Sequence, residues 1–292
     1  MRRTALKQQP LEPVGGCELQ PREFALLRQL VLRHTGIALA ESKRELVKRR
    51  FAPRLRALGL DSFGAYAEYL QRHYTSEGTH FCNAITTNLT AFFRENHHFD
   101  FLRARVLPPL VHKARARGRV RLWSAGCSTG QEAYCMALTV LEALPDAHRY
   151  DVRILATDLD EACLASARAG AYPLAEFAKV PPGSLKAYFE VGQVRLKHGV
   201  REGYVAGERL KRLISFKPLN LVEPWPMAGP FDVIFCRNVF IYFDKSTQQK
   251  LLQGFAALQK PGGILCLGHS ETMANPAAIG YRLVGKTTYE RQ

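Results

Sequence analysis

The chain has 292 residues, 47% of them hydrophobic and 23% charged, enough for one large domain or a moderate domain with a small companion. No apolar run approaches the roughly 20 residues of a membrane span, and no apolar segment follows Met1-Arg2-Arg3-Thr4 as a secretory signal would require; a cytoplasmic protein is expected. The net charge of +15 favours acidic partners, whether nucleic acid, anionic lipid or acidic protein.

The first stretch reads as helical. Phe24 to Val31 has helical apolar spacing and stops near Gly36. Ser42 is the expected cap of a second helix, with Glu45 as its capping-box partner, an apolar seam of Val47, Phe51, Leu55 and Leu58, and a stop at Gly59. Pro53 inside that seam predicts a kink or break. Asp61 is expected to start a third helix with Phe63, Tyr66, Tyr69 and Leu70 inward. No strand signal precedes Val120, so residues 1–80 are expected to form an all-helical domain, followed by a linker over 81–95 and a basic amphipathic helix.

From there strands and helices alternate. Strands are expected over Val120 to Gly126, Val152 to Asp158, Phe231 to Cys236 and Gly263 to Leu267, with helices over Thr129 to Leu144 and Gln248 to Leu258 and a closing hairpin at Tyr281 to Glu290. That order means an α/β domain, 96–292, with a parallel sheet covered on both faces. Within it, the glycine-punctuated residues 189–213 are expected to insert two or three antiparallel strands: Gln193 to Lys197, Gly203 to Ala206 and Leu210 to Ser215.

The seven cysteines (17, 82, 127, 135, 163, 236 and 266) are odd in number and contain no Cys-x-x-Cys, so buried free thiols are expected. His97-His98 has no ligand partner at helical or loop spacing, and no metal site is expected. The chemistry concentrates at the turn Gly126-Cys127-Ser128-Thr129-Gly130 between strand and helix, with Asp158 ending the next strand. Ligands of open α/β sheets sit at strand carboxyl ends, and an acid there can accept both hydroxyls of a ribose. The turn lacks the Gly-Lys-Ser/Thr of a phosphate loop and the Gly-x-Gly-x-x-Gly of a dinucleotide site, and Glu132 would repel a pyrophosphate. A sulfonium cofactor carries no phosphate and tolerates acids.

Four blocks resemble the signature of the chemotaxis receptor methyltransferases, the CheR family: Ile85-Thr86-Thr87-Asn88-Leu89-Thr90-Ala91-Phe92-Phe93-Arg94-Glu95, Trp123 through Tyr134, Phe231 through Asp244 with its Cys236-Arg237-Asn238, and Gly268-His269-Ser270-Glu271. They stand in family order, and the likeness spans roughly residues 20–290. The family's usual Gly-Glu-Glu-Pro-Tyr-Ser reads Gly130-Gln131-Glu132-Ala133-Tyr134-Cys135 here, keeping the second acid.

The resemblance implies a Rossmann-like class I methyltransferase sheet with an inserted antiparallel β subdomain and an N-terminal all-helical domain. It implies S-adenosyl-L-methionine as cofactor, S-adenosyl-L-homocysteine as product, and methyl esterification of glutamates on chemoreceptor cytoplasmic helices. By the same resemblance Asn88, Thr90 and Arg94 close over the cofactor from the linker. Glu132 and Asp158 hold its amino-acid portion and ribose beside Gly126, Asn220 and Leu221 flank the adenine, and Arg237 and Asn238 end the strand beneath the methyl. Arg94 and Tyr242 are the expected catalytic residues, with Arg94 serving either the substrate carboxylate or the cofactor's own.

A glutamate with an ordinary pKa near ~4.3 arrives ionised, so the reaction needs alignment rather than a general base. Between Lys43 and Arg56 seven bases face a single acid, Glu45. Arg49, Arg50, Arg54 and Arg56 are the expected contacts for an acidic receptor helix. The resemblance also implies that the insert can dock a short C-terminal receptor peptide by strand addition, and Arg195, Lys197, Arg201 and Arg209 are its expected contacts with an acidic, aromatic one. A monomer that binds no nucleic acid is expected. A base-methylating enzyme would show Asn/Asp-Pro-Pro-Tyr/Phe where Cys236-Arg237-Asn238-Val239 stands, and a non-catalytic cofactor sensor would not need the Asn88, Arg94, Asp158, Arg237 and Tyr242 set.

Overall fold

In the computed structural model, residues 18–196 and 199–292 are described; the N-terminal stretch with Cys17, and Lys197 of the insert, lie outside them. Helix α1 (Pro21–Thr35) begins with proline at its first position, where the missing amide costs nothing, and ends at Gly36 with φ 72°. Glu23 accepts the Gln20 amide at 2.9 Å and the Gly64 amide at 2.7 Å, tying the first helix to the third. A 3-10 turn, Glu41–Lys43, precedes α2 (Arg44–Leu58), so Ser42 lies inside that turn and does not cap the helix.

Pro53 does not break α2. It removes one amide that the Arg49 carbonyl would accept from, and both residues are exposed, so water can serve that carbonyl. Helix α3 (Phe63–Arg72) is capped by Ser62, whose Oγ accepts the Ala65 amide at 3.1 Å. Helix α4 (Tyr74–Ile85) is an element the sequence reading had merged into domain and linker. Phe24, Leu27, Val31, Val47, Phe51, Leu55, Phe63, Tyr66 and Phe81 form the core of this bundle, while Tyr69 is only half-buried.

The basic helix that follows comes in pieces: α5 (His97–Phe101), a π turn over Leu102–Val106, and α6 (Leu107–Arg115). Pro108 and Pro109 lack the amides that would bond Ala104 and Arg105, and the wider turn lies where that ladder is interrupted. Part of its charge is paired locally: Arg103 with Glu142 and Asp100, and Lys113 with Asp232.

The sheet follows: β1 (Val120–Ala125), α7 (Gln131–Ala143), β2 (Val152–Asp158), α8 (Glu161–Ala169), β3 (Ala171–Pro173), α9 (Pro182–Tyr188), β4 (Phe189–Leu196), β5 (Gly199–Ala206), α10 (Glu208–Lys211), β6 (Ile214–Pro218), β7 (Val233–Cys236), α11 (Lys245–Ala257), β8 (Ile264–Leu267), β9 (Tyr281–Gly285) and β10 (Thr288–Arg291). Seven strands lie in the order β6-β2-β1-β7-β8-β10-β9. The first five are parallel and the closing hairpin adds antiparallel to β8. The chain lays down β1, β2 and β6 in one direction, then returns to place β7 on the other side of β1. That reversal opens a crevice at the carboxyl ends of β1 and β7.

A separate sheet in the order β3-β5-β4 is antiparallel. Its third strand is Ala171–Pro173, not the expected Leu210 to Ser215. Leu210 is wholly buried on the short α10, and Ile214 pairs with Ile154 in the main sheet, because this apolar stretch completes the edge beside β2.

Candidate functional site

The crevice is floored by the β1–α7 turn. Gly126 and Gly130 have φ of 88° and 99°, and a β-carbon on Gly126 would stand 2.5 Å from Val239 Cγ2, so only glycine lets the β7 loop approach this closely. Ser128 also has a left-handed backbone, φ 51°, and its amide donates to Asp158 Oδ2 at 2.7 Å. The Asp160 amide donates to Asp158 Oδ1 at 2.9 Å. Both oxygens keep accepting capacity toward the pocket. Burial pushes the Asp158 carboxyl up, and those two amides oppose it. Glu132 opens α7, accepting Ser124 Oγ at 2.7 Å and Arg237 Nη1 at 3.0 Å; burial pushes its carboxyl up too, against the pull of Arg237.

The linker forms one wall, with Thr86 to Ala91 and Arg94 lining the pocket. Asn88 Nδ2 and Thr86 Oγ1 both donate to Asp160 Oδ2, at 2.7 and 2.8 Å, and Ser128 Oγ donates to the Asn88 carbonyl at 3.0 Å. Asn88 is therefore a strut between linker and floor. Arg94 Nη1 donates to the Leu89 carbonyl at 2.7 Å, and its side chain stays one-third exposed. Thr90 sits between them.

Arg237 is the electrostatic hub. Its side chain is 2% exposed, paired with Glu132 at 3.0 Å and Glu95 at 3.3 Å, donating to the Arg94 carbonyl and lying over the Phe99 and Phe235 rings. It follows the last residue of β7 and lines the pocket, as expected of the strand end there, with its charge committed to two carboxylates. Burial works to raise the Glu95 carboxyl, yet His269, Arg237 and Asn238 outweigh it and bring it down to about 2. Asn238, with φ 60°, donates its side-chain amide to Glu95 at 3.1 Å and its backbone amide to Glu271 at 2.8 Å.

Phe93, Glu95, Ser128 and Asn238 are four of the six described non-glycine residues with positive φ; Ser128 and Asn238 line this pocket, and Glu95 pairs with Arg237 behind it. Such conformations cost about 1–3 kcal/mol each and concentrate where geometry matters more than stability. Buried Glu271 repays part of that cost by accepting the amides of Gly268, Asn238 and Ile241.

The opposite wall is Leu219, Asn220, Leu221 and Tyr242. Asn220 spends its side-chain amide on the His34 carbonyl, 2.8 Å, and on Glu223, 3.0 Å. The Tyr242 carbonyl accepts the Ala38 amide at 2.8 Å, and Ile37 forms an antiparallel bridge with Phe243. The helical domain thus reaches into the site, and Thr35 and Ile37 line it, a contribution no motif announced.

The structure separates the four arginines of α2. Arg49 and Arg56 are exposed. Arg54 makes a two-pronged bond to Glu77, at 2.7 and 2.6 Å, with Tyr66 donating to the same carboxylate. Its fork is filled by a buried partner, so it is withdrawn from the expected receptor contacts. Arg50 turns toward the end of α4. On the small sheet Arg195 and Arg201 are exposed, while Arg209 bends back to the Pro145 carbonyl and the Tyr188 ring.

The expectation that His97-His98 lacks a ligand neighbour is also corrected: the left-handed bend at Glu95 brings its carboxylate and both imidazoles within 4.8 Å. That carboxylate already accepts from Arg237, Asn238 and His269. The six described cysteines are buried and free. Asp160, Glu95 and Glu271 were not singled out from sequence. The last two end their blocks, which was the available signal; Asp160 showed only as the second acid of Asp158-Leu159-Asp160.

Residues 22–86 match the family described as CheR methyltransferase, all-alpha domain, and residues 88–289 match CheR methyltransferase, SAM binding domain. A probable chemotaxis protein methyltransferase of Rhizobium etli is 45% identical over 89% of this chain and 96% of that protein. The chemotaxis protein methyltransferases of Salmonella typhimurium and Escherichia coli are 43% and 41% identical, each over 93% of this chain and 90% and 91% of theirs.

Proposed function

The chain belongs to the CheR methyltransferase family, and from that membership we infer that it is an S-adenosylmethionine-dependent protein-glutamate O-methyltransferase that esterifies chemoreceptor glutamates for adaptation. The observation that carries the reading is the pocket at the strand-order reversal, with carboxylates on its floor in the β1–α7 turn and at the end of β2. Those carboxylate acceptors fit a cofactor bearing a ribose and an ammonium group and no phosphate.

The cofactor supplies an electrophilic methyl on a sulfonium that is already a good leaving group. The chain's own part is placement. Asp158 accepts from the ribose hydroxyls through the lone pairs its two backbone partners leave over. Glu132, held by Arg237 and Ser124, faces the amino-acid end. Asn220 and Leu221 flank the base. Asn88, Thr90 and Arg94 close the linker wall, and Arg94 and Tyr242 orient the incoming carboxylate in line with the methyl. No residue has to take a proton, because the glutamate arrives ionised; exclusion of water and alignment supply the rate.

Around the site, Leu89 and Ile241 are 79% and 55% exposed and offer an apolar footing for a receptor helix. Arg49 and Arg56 supply charge complementary to its glutamates. In the small sheet, β4 has β5 on one side and no described strand on the other. With Arg195 and Arg201 exposed nearby, that edge is our proposed dock for a receptor's acidic C-terminal pentapeptide, acting on a cytoplasmic monomer. Titration with such peptides should give saturable binding that Arg201→Glu weakens; no binding to any receptor terminus of the host would remove the dock.

The catalytic assignment is tested by methyl transfer to a receptor cytoplasmic fragment. Arg94→Ala and Tyr242→Phe should each lower turnover by about tenfold or more while the fold survives, tenfold being about 1.4 kcal/mol in the barrier. Wild-type turnover in both would take Arg94 and Tyr242 out of the reaction.

A further inference from the structure

Arg50 was expected to face a receptor, yet its guanidinium points into the protein. It lies halfway along α2, half-buried, with Nη1 donating to the carbonyls of Ile85 and Thr86, both at 2.6 Å, and Nη2 donating to Thr87 Oγ1 at 2.9 Å. Those acceptors are the last residue of α4 and the first two of the linker. Helix-end carbonyls have no partner within their own helix, and a cation there answers both the missing donors and the negative end of the helix dipole.

The next link is on the other side of the strand of linker. Thr86 Oγ1 and Asn88 Nδ2 donate to Asp160 Oδ2, and the Asp160 amide donates to Asp158. The hydrogen-bond path therefore runs from Arg50 through Thr86 and Asp160 to Asp158, from a helix of the N-terminal domain to the carboxylate on the pocket floor. Beyond Asn88 the same linker carries Leu89, which is 79% exposed, so little apolar packing holds it down at that point. Polar struts set its height above the pocket.

We propose that Arg50 is a positioning residue for the cofactor site: from the helical domain it holds the linker wall closed over the pocket, and it acts on cofactor affinity rather than on receptor recognition. The inference rests on the reading that this pocket binds S-adenosylmethionine. Hydrogen bonds to charged donors contribute more than neutral ones, and losing three at one point releases the wall that Asn88 and Thr90 belong to.

The test is calorimetric binding of S-adenosylhomocysteine to the full chain, alongside KM values for cofactor and receptor fragment. Arg50→Ala should raise the dissociation constant and the cofactor KM about tenfold, with kcat at saturating cofactor changed far less. Arg50→Lys, whose single ammonium can serve a carbonyl but not the whole fork, should recover part of the loss. Thr87→Val deletes only the Nη2 bond and should shift the constant a few-fold in the same direction, a readout that survives if Arg50→Ala does not fold. A cofactor constant at the wild-type value in Arg50→Ala and Thr87→Val, whatever happens to the receptor KM, overturns the proposal. If the wild-type chain itself did not bind S-adenosylhomocysteine, the pocket reading would fall and take this inference with it.

Discussion

Arg237 sits between two carboxylates, Glu95 and Glu132, with 2% of its side chain exposed. A guanidinium buried with no acid beside it would cost several kcal/mol; paired with both, it fixes α7, the linker and the end of β7 to one another. The sequence made Arg237 visible as part of Cys236-Arg237-Asn238 but not its direction, because a motif gives a residue's neighbours along the chain and not those across it. Arg54 is the same lesson reversed. It read as surface charge since its partner Glu77 lies on another helix. His98 adds a consequence that can be measured. It is fully buried, and burial together with Arg237 brings its imidazole from 6.5 down to about 3. The unfolded chain takes up that proton as pH falls below about 6.5, whereas the folded chain resists it until about 3. Stability must therefore fall as pH falls through that window, by about 1.4 kcal/mol per pH unit for this one group. Denaturant unfolding at pH 6.5 and 5 should show the loss, and His98→Gln, which keeps a donor near Lys286 and Thr287, should flatten the dependence by about that slope. An unchanged slope in the variant would remove His98 as its source.

Among the elements, those with a complete local signal were legible. Strands β1, β2, β7 and β8 announced themselves as apolar runs entering glycine or acidic turns, and α1 by its spacing and Gly36. Ala171–Pro173 was not legible, since three residues hold no period and it is a strand only because β5 pairs with it. Leu210 to Ser215 was read into the wrong sheet because its apolar content fitted either edge; Ile154 across from Ile214 decides. Helix α2 shows how an element distributes a charge run: Arg50 and Arg54 serve the bundle and linker, leaving Arg49 and Arg56 outward. Reversing those two to Glu should raise the receptor KM several-fold and leave S-adenosylhomocysteine affinity at its wild-type value. Because exposed charges are screened, wild-type receptor KM should rise with salt and the variant's should hardly move. Equal receptor KM for both proteins at low salt would make this face a solvated surface and nothing more.

At the scale of the molecule, two domains share one pocket. The helical bundle supplies Thr35 and Ile37 to its lining, pins Tyr242 through Ala38, and holds the linker through Arg50, while the sheet supplies Asp158 and Glu132. The four sequence blocks already contained most of that lining, because residues brought together at strand ends cluster in the turns that follow strands. The bundle's share was invisible for want of any chemical signature in a Thr or an Ile. Of the basic side chains some, such as Arg103 and Lys113, are held in ion pairs within the protein, and others, such as Arg49 and Arg56, stay exposed. No described helix is long and apolar enough to cross a membrane. The proposed reaction is methyl transfer from this pocket to receptor glutamates. Its most direct test is incubation of a receptor cytoplasmic fragment with S-adenosylmethionine labelled in the methyl, followed by mild base. Label should appear on the receptor, leave it as methanol in base, and be absent when the receptor's methylatable glutamates are replaced by alanine. Base-stable label, or label that persists in that receptor variant, would contradict it.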